Sequence, residues 1–486
     1  MSPARRRRPK SSSPALPSPL LPSFDEASAK VAAYAAKLAR IRPAVERVRL
    51  NQALGRVLAE PLRADTDQPP FPRSTRDGFA CRAAEASTHR PLAVAGSTQA
   101  GQTPSGPLPR GAVWEIMTGA PVPAGADAVI MLEHVEDTAA HVEESGALAE
   151  ETAVVSARTI RLLPPRTIHK GENIVARAAQ ARKGEELLRA GTSIAAAQIA
   201  LAASCGISTL NVFAKPRVAI LSTGDELVSI QSTPGPSQIR NSSSAMLAAM
   251  VSAAGGDPWI LPIARDTAKS LDAAFDRASS ADLLLITGGV SAGKFDLVEP
   301  ALIRAGARFH FTGVRIQPGK PLVFGEIPHR PTDLLQNKNG TKCVGELRSS
   351  EFPSANRSAG LQTGSSAGVH ARTEPLPIFG LPGNPVSSAV TFLLFAAPVV
   401  AALARQNKFG PRFAIARLTA DVKTKTGLTR FLPATCTFAG PTPEVALVPW
   451  QGSGDLAAMA RANCFLVVPE DADRLRAGST VRILLS

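Results

Sequence analysis

Residues 218–226 read Val-Ala-Ile-Leu-Ser-Thr-Gly-Asp-Glu, and the way this stretch ends decides the fold. The uniformly apolar run Val218–Leu221 describes a strand buried on both faces, and the small residues after it describe a turn towards a helix. The same pattern recurs twice. Leu283–Ile286 leads into Thr287-Gly-Gly-Val-Ser-Ala-Gly293 followed by Asp296, and Leu376–Phe379 leads into Leu381-Pro-Gly-Asn-Pro385 followed by Ser387. Helical stretches at Ala245–Ala254 and Lys269–Ala278 separate the first two runs. Strands alternating with helices predict a central open, mostly parallel α/β/α sheet, whose ligands sit outside the carboxyl ends of its strands.

Each loop alone is unspecific, because strand-to-helix turns commonly use glycine. None has the spacing of a P-loop or of a dinucleotide fingerprint. Three of them at one sheet edge favour an anionic ligand, since glycine permits close backbone approach and helix-start N–H groups hold anions. Gln317-Pro-Gly-Lys320 adds a rigid turn that presents one lysine. Glu226 and Asp296 either cap helices or, beside a phosphate, supply the hard oxygen ligands that Mg2+ prefers. The second reading fits phosphoryl or phosphoanhydride chemistry.

Upstream, residues 23–41 predict a helix capped by Ser23, with Asp25 and Glu26 in its first turn. Residues 64–184 read as β-rich, short apolar runs between Pro and Gly clusters, with a looser acidic excursion at 134–158. After Gly410 the runs Phe413–Asp421, Arg430–Phe438, Cys464–Val468 and Thr480–Leu485 predict a small C-terminal β-barrel. Residues 327–376, rich in Ser, Asn, Gly and Thr, read as a disordered insertion. Val386–Ala404 carries no charge, but its Ser and Thr residues, Pro398 and its start in a loop predict a buried helix rather than a membrane span.

The chain has 486 residues, enough for two to four domains, and a net charge of +14 from 54 Lys and Arg against 40 Asp and Glu. Half of that excess lies in two segments. Residues 1–22, expected to be a disordered basic tail, hold five bases and no acid, and 327–376 holds six bases against four acids. With one Tyr and three Trp there is no basic-aromatic interleaving, which argues against nucleic acid as a partner. Five scattered cysteines without a CxxC pair predict a reducing compartment and no structural metal. The N-terminus lacks a signal-peptide apolar core, so a cytoplasmic location without a membrane partner is expected.

Ser74-Thr-Arg-Asp-Gly-Phe-Ala80, Ile116-Met-Thr-Gly-Ala-Pro-Val-Pro123 and Gly125-Ala-Asp-Ala-Val129 resemble signatures of the molybdopterin molybdenumtransferases, the MoeA family that includes the gephyrin E domain. Ser222–Leu227, Gly288–Gly293 with Asp296, Pro318–Pro321, Leu381–Ser387 and Gln451-Gly-Ser453 continue the resemblance in the family's order, over about residues 23–326 and 377–486. The resemblance implies an enzyme that takes adenylylated molybdopterin and molybdate, cleaves the phosphoanhydride in a Mg2+-dependent step releasing AMP, and leaves molybdenum on the dithiolene. It implies a homodimer of interleaved domains. These are a linking and dimerisation domain from 45–63 and 185–214, a β-rich domain at 64–184, an α/β molybdopterin-binding domain from 23–44 and 215–405, and a barrel at 406–486.

Carried over by motif, Asp77, Thr118, Glu226, Asp266 and Asp296 take the catalytic positions, with Glu226 and Asp296 as metal ligands. Gly224, Gly288, Gly289, Ser291, Gly293, Pro318, Gly319, Lys320, Gly383, Asn384, Ser387 and Ser453 take the binding positions, and Asp77 with Thr118 reaches across the dimer. The chain departs from the family at Gln180, Ser243 and Leu428, and at Gly313 and Gln317, where lysines are common; Arg315 lies between those two. Two other readings compete: a diverged paralogue that binds pterin nucleotide or a partner without turnover, and the preceding adenylyltransferase step.

Overall fold

The structure, a computed structural model, describes residues 21–41, 43–138, 158–289, 297–328, 374–438 and 440–486. The chain divides into two compact units, one of Glu46–Val212 and one of the residues up to Val45 together with Phe213–Ser486.

The first unit centres on a six-stranded mixed sheet of β1 (Gly78–Cys81), β2 (Leu92–Thr98), β3 (Ala112–Ile116), β4 (Ala128–Met131), β5 (Val135–Thr138) and β6 (Thr159–Leu162), in the order β4-β1-β3-β2-β6-β5. Alternate residues serve two cores: Phe79, Val113, Ile130 and Ile160 on one side, Ala80, Trp114, Ile116 and Val129 on the other. The expected acidic excursion begins as strand instead. Glu136 pairs across β5–β6 with Arg161, and Arg158 reaches Asp137 at 2.6 Å, so these acids are cross-strand partners rather than loop residues. The segments flanking the β-rich stretch meet in a further core, where Leu58 and Leu62 pack with Ile194, Leu210 and Val212.

In the second unit, α1 (Phe24–Leu38) starts at Ser23, whose hydroxyl and Glu26 form a reciprocal capping box. Its buried residues Phe24, Ala27, Val31, Ala35 and Leu38 follow the three-and-four spacing of one helix face. The expected 1–22 tail is shorter at this end, because the Pro22 carbonyl accepts from the Arg315 N–H at 2.9 Å.

The sheet of this unit contains β7 (Arg217–Ser222), β8 (Asp257–Ile260), β9 (Leu283–Thr287), β10 (Arg308–Thr312), β11 (Val323–Ile327) and β12 (Leu376–Leu381), ordered β8-β7-β9-β12-β11-β10. The first four are parallel, and β11 runs antiparallel to both of its neighbours, β12 and β10. Helices α2 (Ser242–Ala253), α3 (Ala268–Ala278) and α4 (Val298–Arg304) alternate with the strands, and α5 (Pro385–Leu403) follows β12. Val218, Ile220, Leu285 and Phe379 face α1, α2 and α5, while Ala219, Leu221, Leu284 and Ile378 face α3 and α4. Burial on both faces explains why these strands read as unbroken apolar runs.

Ile327 and Leu376, the expected ends of the insertion, are paired residues of β11 and β12, and Glu374 lies 3.7 Å from Lys37 of α1. The intervening residues 329–373 lie outside those described. Among the described residues α5 is the one helix long and apolar enough to cross a membrane, but 83% of its apolar window is buried in the core. It widens to a π turn over Phe392–Ala396, just before Pro398, which has no N–H to continue the α ladder.

The C-terminal strands β13 (Phe413–Leu418), β14 (Thr429–Thr437), β15 (Glu444–Leu447), β16 (Cys464–Val468) and β17 (Thr480–Leu485) close into a barrel in the order β14-β15-β13-β17-β16, with β16 pairing back to β14. Phe24 joins the barrel to α5, its ring 5.4 Å from Phe431 and 6.3 Å from both Phe395 and Phe413.

Phe379 is fully buried and stacks on Phe324 at 4.5 Å. Phe379→Ala is expected to destabilise the unit by about 3–5 kcal/mol, read as a lowered urea midpoint.

Candidate functional site

Register places the site. Ser222 pairs with Thr287 and Thr287 with Leu381, so β7, β9 and β12 end at one level and their loops leave the same edge. The loops then touch. The Thr223 N–H donates to Thr287 O at 3.0 Å. Gly288 has φ +94°, and a Cβ there would overlap the Thr223 carbonyl oxygen, while one on Gly383 would lie 3.5 Å from Gly288 Cα. Only glycine permits this approach.

Buried hydroxyls hold the strand ends from below. Ser222 Oγ lies 2.7 Å from Ser244 Oγ and donates to Asn241 Oδ1 at 3.2 Å, which ties β7 to the start of α2. Ser388, in the first turn of α5, donates to Pro382 O and lies 3.4 Å from Thr287 Oγ1. Ser387 is buried beside it, its carbonyl accepting from Thr391. The barrel reaches this helix start as well: Ser453 O accepts from the Val386 N–H at 3.0 Å, and Asn384 Nδ2 donates to Ser453 Oγ at 2.9 Å.

The turn Pro318-Gly319-Lys320 packs on the same helix. A Cβ on Gly319 would lie 2.5 Å from Thr391 Cγ2, and Ile316 and Gln317 pair with Thr429 and Arg430 of β14. Lys320 itself is exposed.

One expectation needs correcting. The first loop does not offer its leading amides as an anion cradle. Thr223 N–H goes to Thr287 O and Gly224 N–H to Ala264 O at 3.3 Å. Its polar face is made of side chains. Asp225 and Glu226 are exposed there, and Asp266 stands close enough to feel both. Burial first, then the negative charge of these two neighbours, raises the Asp266 carboxyl above its ordinary value.

Thr223, which the motif carry-over passed over, is 2% exposed, and its Oγ1 has no hydrogen-bond partner among the described residues. Leaving a buried hydroxyl unpaired costs about 1–3 kcal/mol. Asp225 and the Ser222–Asn241–Ser244 network were missed as well. The signal for Thr223 and Asp225 lay in the opening stretch itself, as the polar residues flanking Gly224.

Gly224, Gly288, Gly289, Gly383 and Asn384 thus stand on the three loops, with Glu226, Asp266, Ser453 and the Lys320 turn on adjoining elements. Ser291, Gly293 and Asp296 lie outside the described residues. Asp77 and Thr118 belong to the other unit and pair there: Asp77 Oδ1 accepts from the Thr118 N–H at 2.6 Å and its hydroxyl at 2.9 Å. Those two bonds hold the Asp77 carboxyl below its ordinary value.

Among the described residues no group of three or more His, Cys, Asp or Glu side chains is arranged to hold a metal. The donors at the first loop are nonetheless hard oxygens, and no cation among the described residues is a cause of the shift on Asp266. That suits Mg2+, which takes one or two carboxylates and completes its shell with water and substrate phosphate.

An open, mostly parallel sheet with small-residue loops and carboxylates at its carboxyl edge defines an α/β protein whose ligands sit at that edge. Three family profiles match in order: the MoeA N-terminal region (domain I and II) over residues 22–206, the probable molybdopterin binding domain over 219–402, and the MoeA C-terminal region (domain IV) over 415–486. A molybdopterin molybdenumtransferase from Synechococcus elongatus is 31% identical, covering 94% of this chain and 98% of its own. One from a Nostoc species is 30% identical, covering 90% and 88%. The crystal structure of the molybdopterin biosynthesis MoeA protein from Pyrococcus horikoshii superposes with a TM-score of 0.69 at 25% identity, covering 96% of this chain and all of that one. The chain belongs to the molybdopterin molybdenumtransferase family.

Two predictions follow from the carboxylates. Because the folded state raises Asp266, its ionised form weakens the fold as pH rises from the ordinary carboxylate range through the raised value. Asp266→Asn is therefore expected to raise the thermal midpoint at neutral pH, not at strongly acid pH, and Mg2+ should narrow the difference. Asp77 has the opposite sign: its bonds stabilise above the ordinary value and are lost as pH falls through the depressed one. Thr118→Val should return the Asp77 carboxyl towards its ordinary value in an NMR titration.

Proposed function

We propose that the carboxyl edge of the α/β sheet takes adenylylated molybdopterin and molybdate, releases AMP in a Mg2+-dependent step, and leaves molybdenum on the dithiolene. The observation that carries this reading is the meeting of Thr223, Gly288 and Gly383 at one point, with Asp225, Glu226 and Asp266 beside it. Glycine at 224, 288 and 383 lets the three loops close on one another, and phosphate and pterin lie against the edge those loops form. Asn384 and Ser453, bonded to each other, bound the site from the barrel side, with Ser387 in the first turn of α5, and Ser291 and Gly293 take binding roles by their motif positions alone.

Lys320, presented by Pro318-Gly319, offsets the charge of the anhydride. Glu226 and Asp296 hold Mg2+, which supplies Lewis-acid neutralisation of phosphate oxygens when bound. One water adds across the phosphoanhydride, its oxygen joining one phosphorus and a proton ending on the oxygen that leaves with the other. Asp266, whose carboxyl is raised by burial first and then by the charge of Asp225 and Glu226, is the acid–base group of that exchange. The same reading extends to the assembly: a cytoplasmic homodimer in which Asp77 and Thr118 of one subunit serve the other's site, with neither nucleic acid nor membrane as partner.

Purified protein incubated with adenylylated molybdopterin, Mg2+ and molybdate is expected to release AMP and yield active cofactor, and to do neither in EDTA. Asp296→Ala and Lys320→Ala should each lower the rate roughly 10- to 100-fold, the loss of one charge-assisted contact. Binding without AMP release, or unchanged molybdenum insertion by Asp296→Ala, would count against the assignment.

A further inference from the structure

We infer that Asn241 is a positioning residue of this site: it fastens both ends of the first loop to the start of α2 and so sets where Asp225 and Glu226 stand. This role rests on the reading above, which makes Glu226 a metal ligand, and adds to it a buried residue that acts only through the loop.

The two ends of the loop converge on Asn241. The chain leaves β7 at Ser222, whose Oγ donates to Asn241 Oδ1 at 3.2 Å. It leaves the loop at Val228, whose carbonyl accepts from the Asn241 N–H at 2.9 Å. Thr223, Gly224, Asp225 and Glu226 all lie between these two ties. The preceding residues add to the second one: the Ile239 N–H donates to the Glu226 carbonyl at 2.8 Å, and Leu227 and Val228 pair with Ile239 and Arg240. What the ties hold is a carboxylate. A Cβ on Gly224 would lie 2.4 Å from Glu226 Oε2, so the Glu226 side chain is laid back over the loop and goes where the loop goes. The facing acid is fixed to the same stretch, since the Gly224 N–H donates to Ala264 O and the Ala264 N–H to Ser222 O at 2.9 Å, just ahead of Asp266.

Asn241 suits this task because its amide is oriented and enclosed. It is 8% exposed, and Ser222 and Ser244 are more deeply buried. Oδ1 also accepts from the Ser244 N–H at 3.1 Å, which only the oxygen can do, so Nδ2 is the atom that donates to Ser244 Oγ at 2.8 Å. The Ser244 hydroxyl is then left to donate to Ser222 Oγ at 2.7 Å, and the ring closes with every hydroxyl paired. A closed polar ring in a dry interior is stiff, and it holds the loop in place before metal and nucleotide arrive. Capping α2 explains only part of this. The cap is the bond from the Ser244 N–H, whereas the bond from Ser222 reaches a different element.

The two roles are separable by substitution. Asn241→Ser keeps a capping oxygen but is one bond too short to hold Ser222. Ser222→Ala removes the same tie from the other side and leaves the cap untouched, while Asn241→Asp keeps both acceptor contacts. Titration calorimetry gives Kd for adenylylated molybdopterin in Mg2+ and in EDTA, and the ratio of the two reads how well the loop carboxylates meet the metal. Differential scanning calorimetry gives the ligand-free thermal midpoint. Asn241→Ser and Ser222→Ala are each expected to cut that ratio roughly fivefold, the loss of one hydrogen bond, with Kd in EDTA within about twofold of wild type. Combining them should cost no more than the larger single loss, because both break one contact. Asn241→Asp should keep the wild-type ratio. Lowered midpoints with the wild-type ratio overturn the inference, as the signature of a residue that serves only the fold. So does a Kd raised equally in Mg2+ and EDTA. Failure of wild type to bind the nucleotide, or binding indifferent to Mg2+, overturns the functional reading and this inference with it.

Discussion

The in-register ending of β7, β9 and β12 is the constraint on which the rest of the second unit depends. Ser222, Thr287 and Leu381 stand opposite one another, so the next residue of each strand enters its loop at a common level. The register is not free to move. Val218, Ala219, Ile220 and Leu221 are all fully buried and alternate between two cores, so a one-residue slip would exchange every side chain between faces of different shape. Once the level is set, the loops are forced into contact, and contact at Thr223, Gly288 and Gly383 leaves no room for a Cβ at Gly288. The glycines are thus a consequence of strand packing as much as a provision for ligand.

How much of this is legible in the residues follows from how local each cause is. Strands buried on both faces announce themselves through Val218–Leu221 and Leu283–Ile286, and β16 and β17 lie where their apolar runs predict, Cys464–Val468 and Thr480–Leu485. Ser23 with Glu26 marks the start of α1 because a capping box is written within four consecutive residues. The antiparallel edge is harder to see. β10 alternates exposed and buried positions and carries Arg308 and His310, a pattern with no claim to a core strand until β11 is laid beside it. The strand β5 hides for the same reason, since Glu136 and Asp137 look like loop acids until Arg158 and Arg161 face them.

The candidate site divides along the same line. Its glycines and carboxylates carry motif spacing and are visible; what they do with their hydrogen bonds is not. Whether the first loop cradles an anion depends on the carbonyls of Thr287 and Ala264, which belong to other loops and strands. Those carbonyls take the amides, and the loop becomes a side-chain surface. Thr223 stands in plain view beside Gly224, yet its burial and its unpaired hydroxyl are properties of Gly288 and the neighbouring strands, not of its own segment.

At two of the positions where the resemblance leads to an expected lysine, 313 and 317, the structure leaves little place for one. A lysine at 313 would have to adopt φ +152°, and its Cβ would lie 2.7 Å from Leu21 Cδ2. A lysine at 317 would stand in register with Arg430, setting two cations side by side on paired strands. Gln317 removes that repulsion. Arg430 does not inherit the vacant role, because it is 9% exposed and its guanidinium donates to the carbonyls of Lys425 and Leu428. Arg315, which lies between the two lost lysines, is drawn 3.6 Å from Glu470 in the barrel. The positive charge of this region is therefore spent on joining barrel to sheet, and Lys320 remains exposed on a turn that Thr391 and Ile316 lock in place. At the first loop the balance is the reverse: Asp225 and Glu226 are exposed, and burial followed by their charge raises the Asp266 carboxyl.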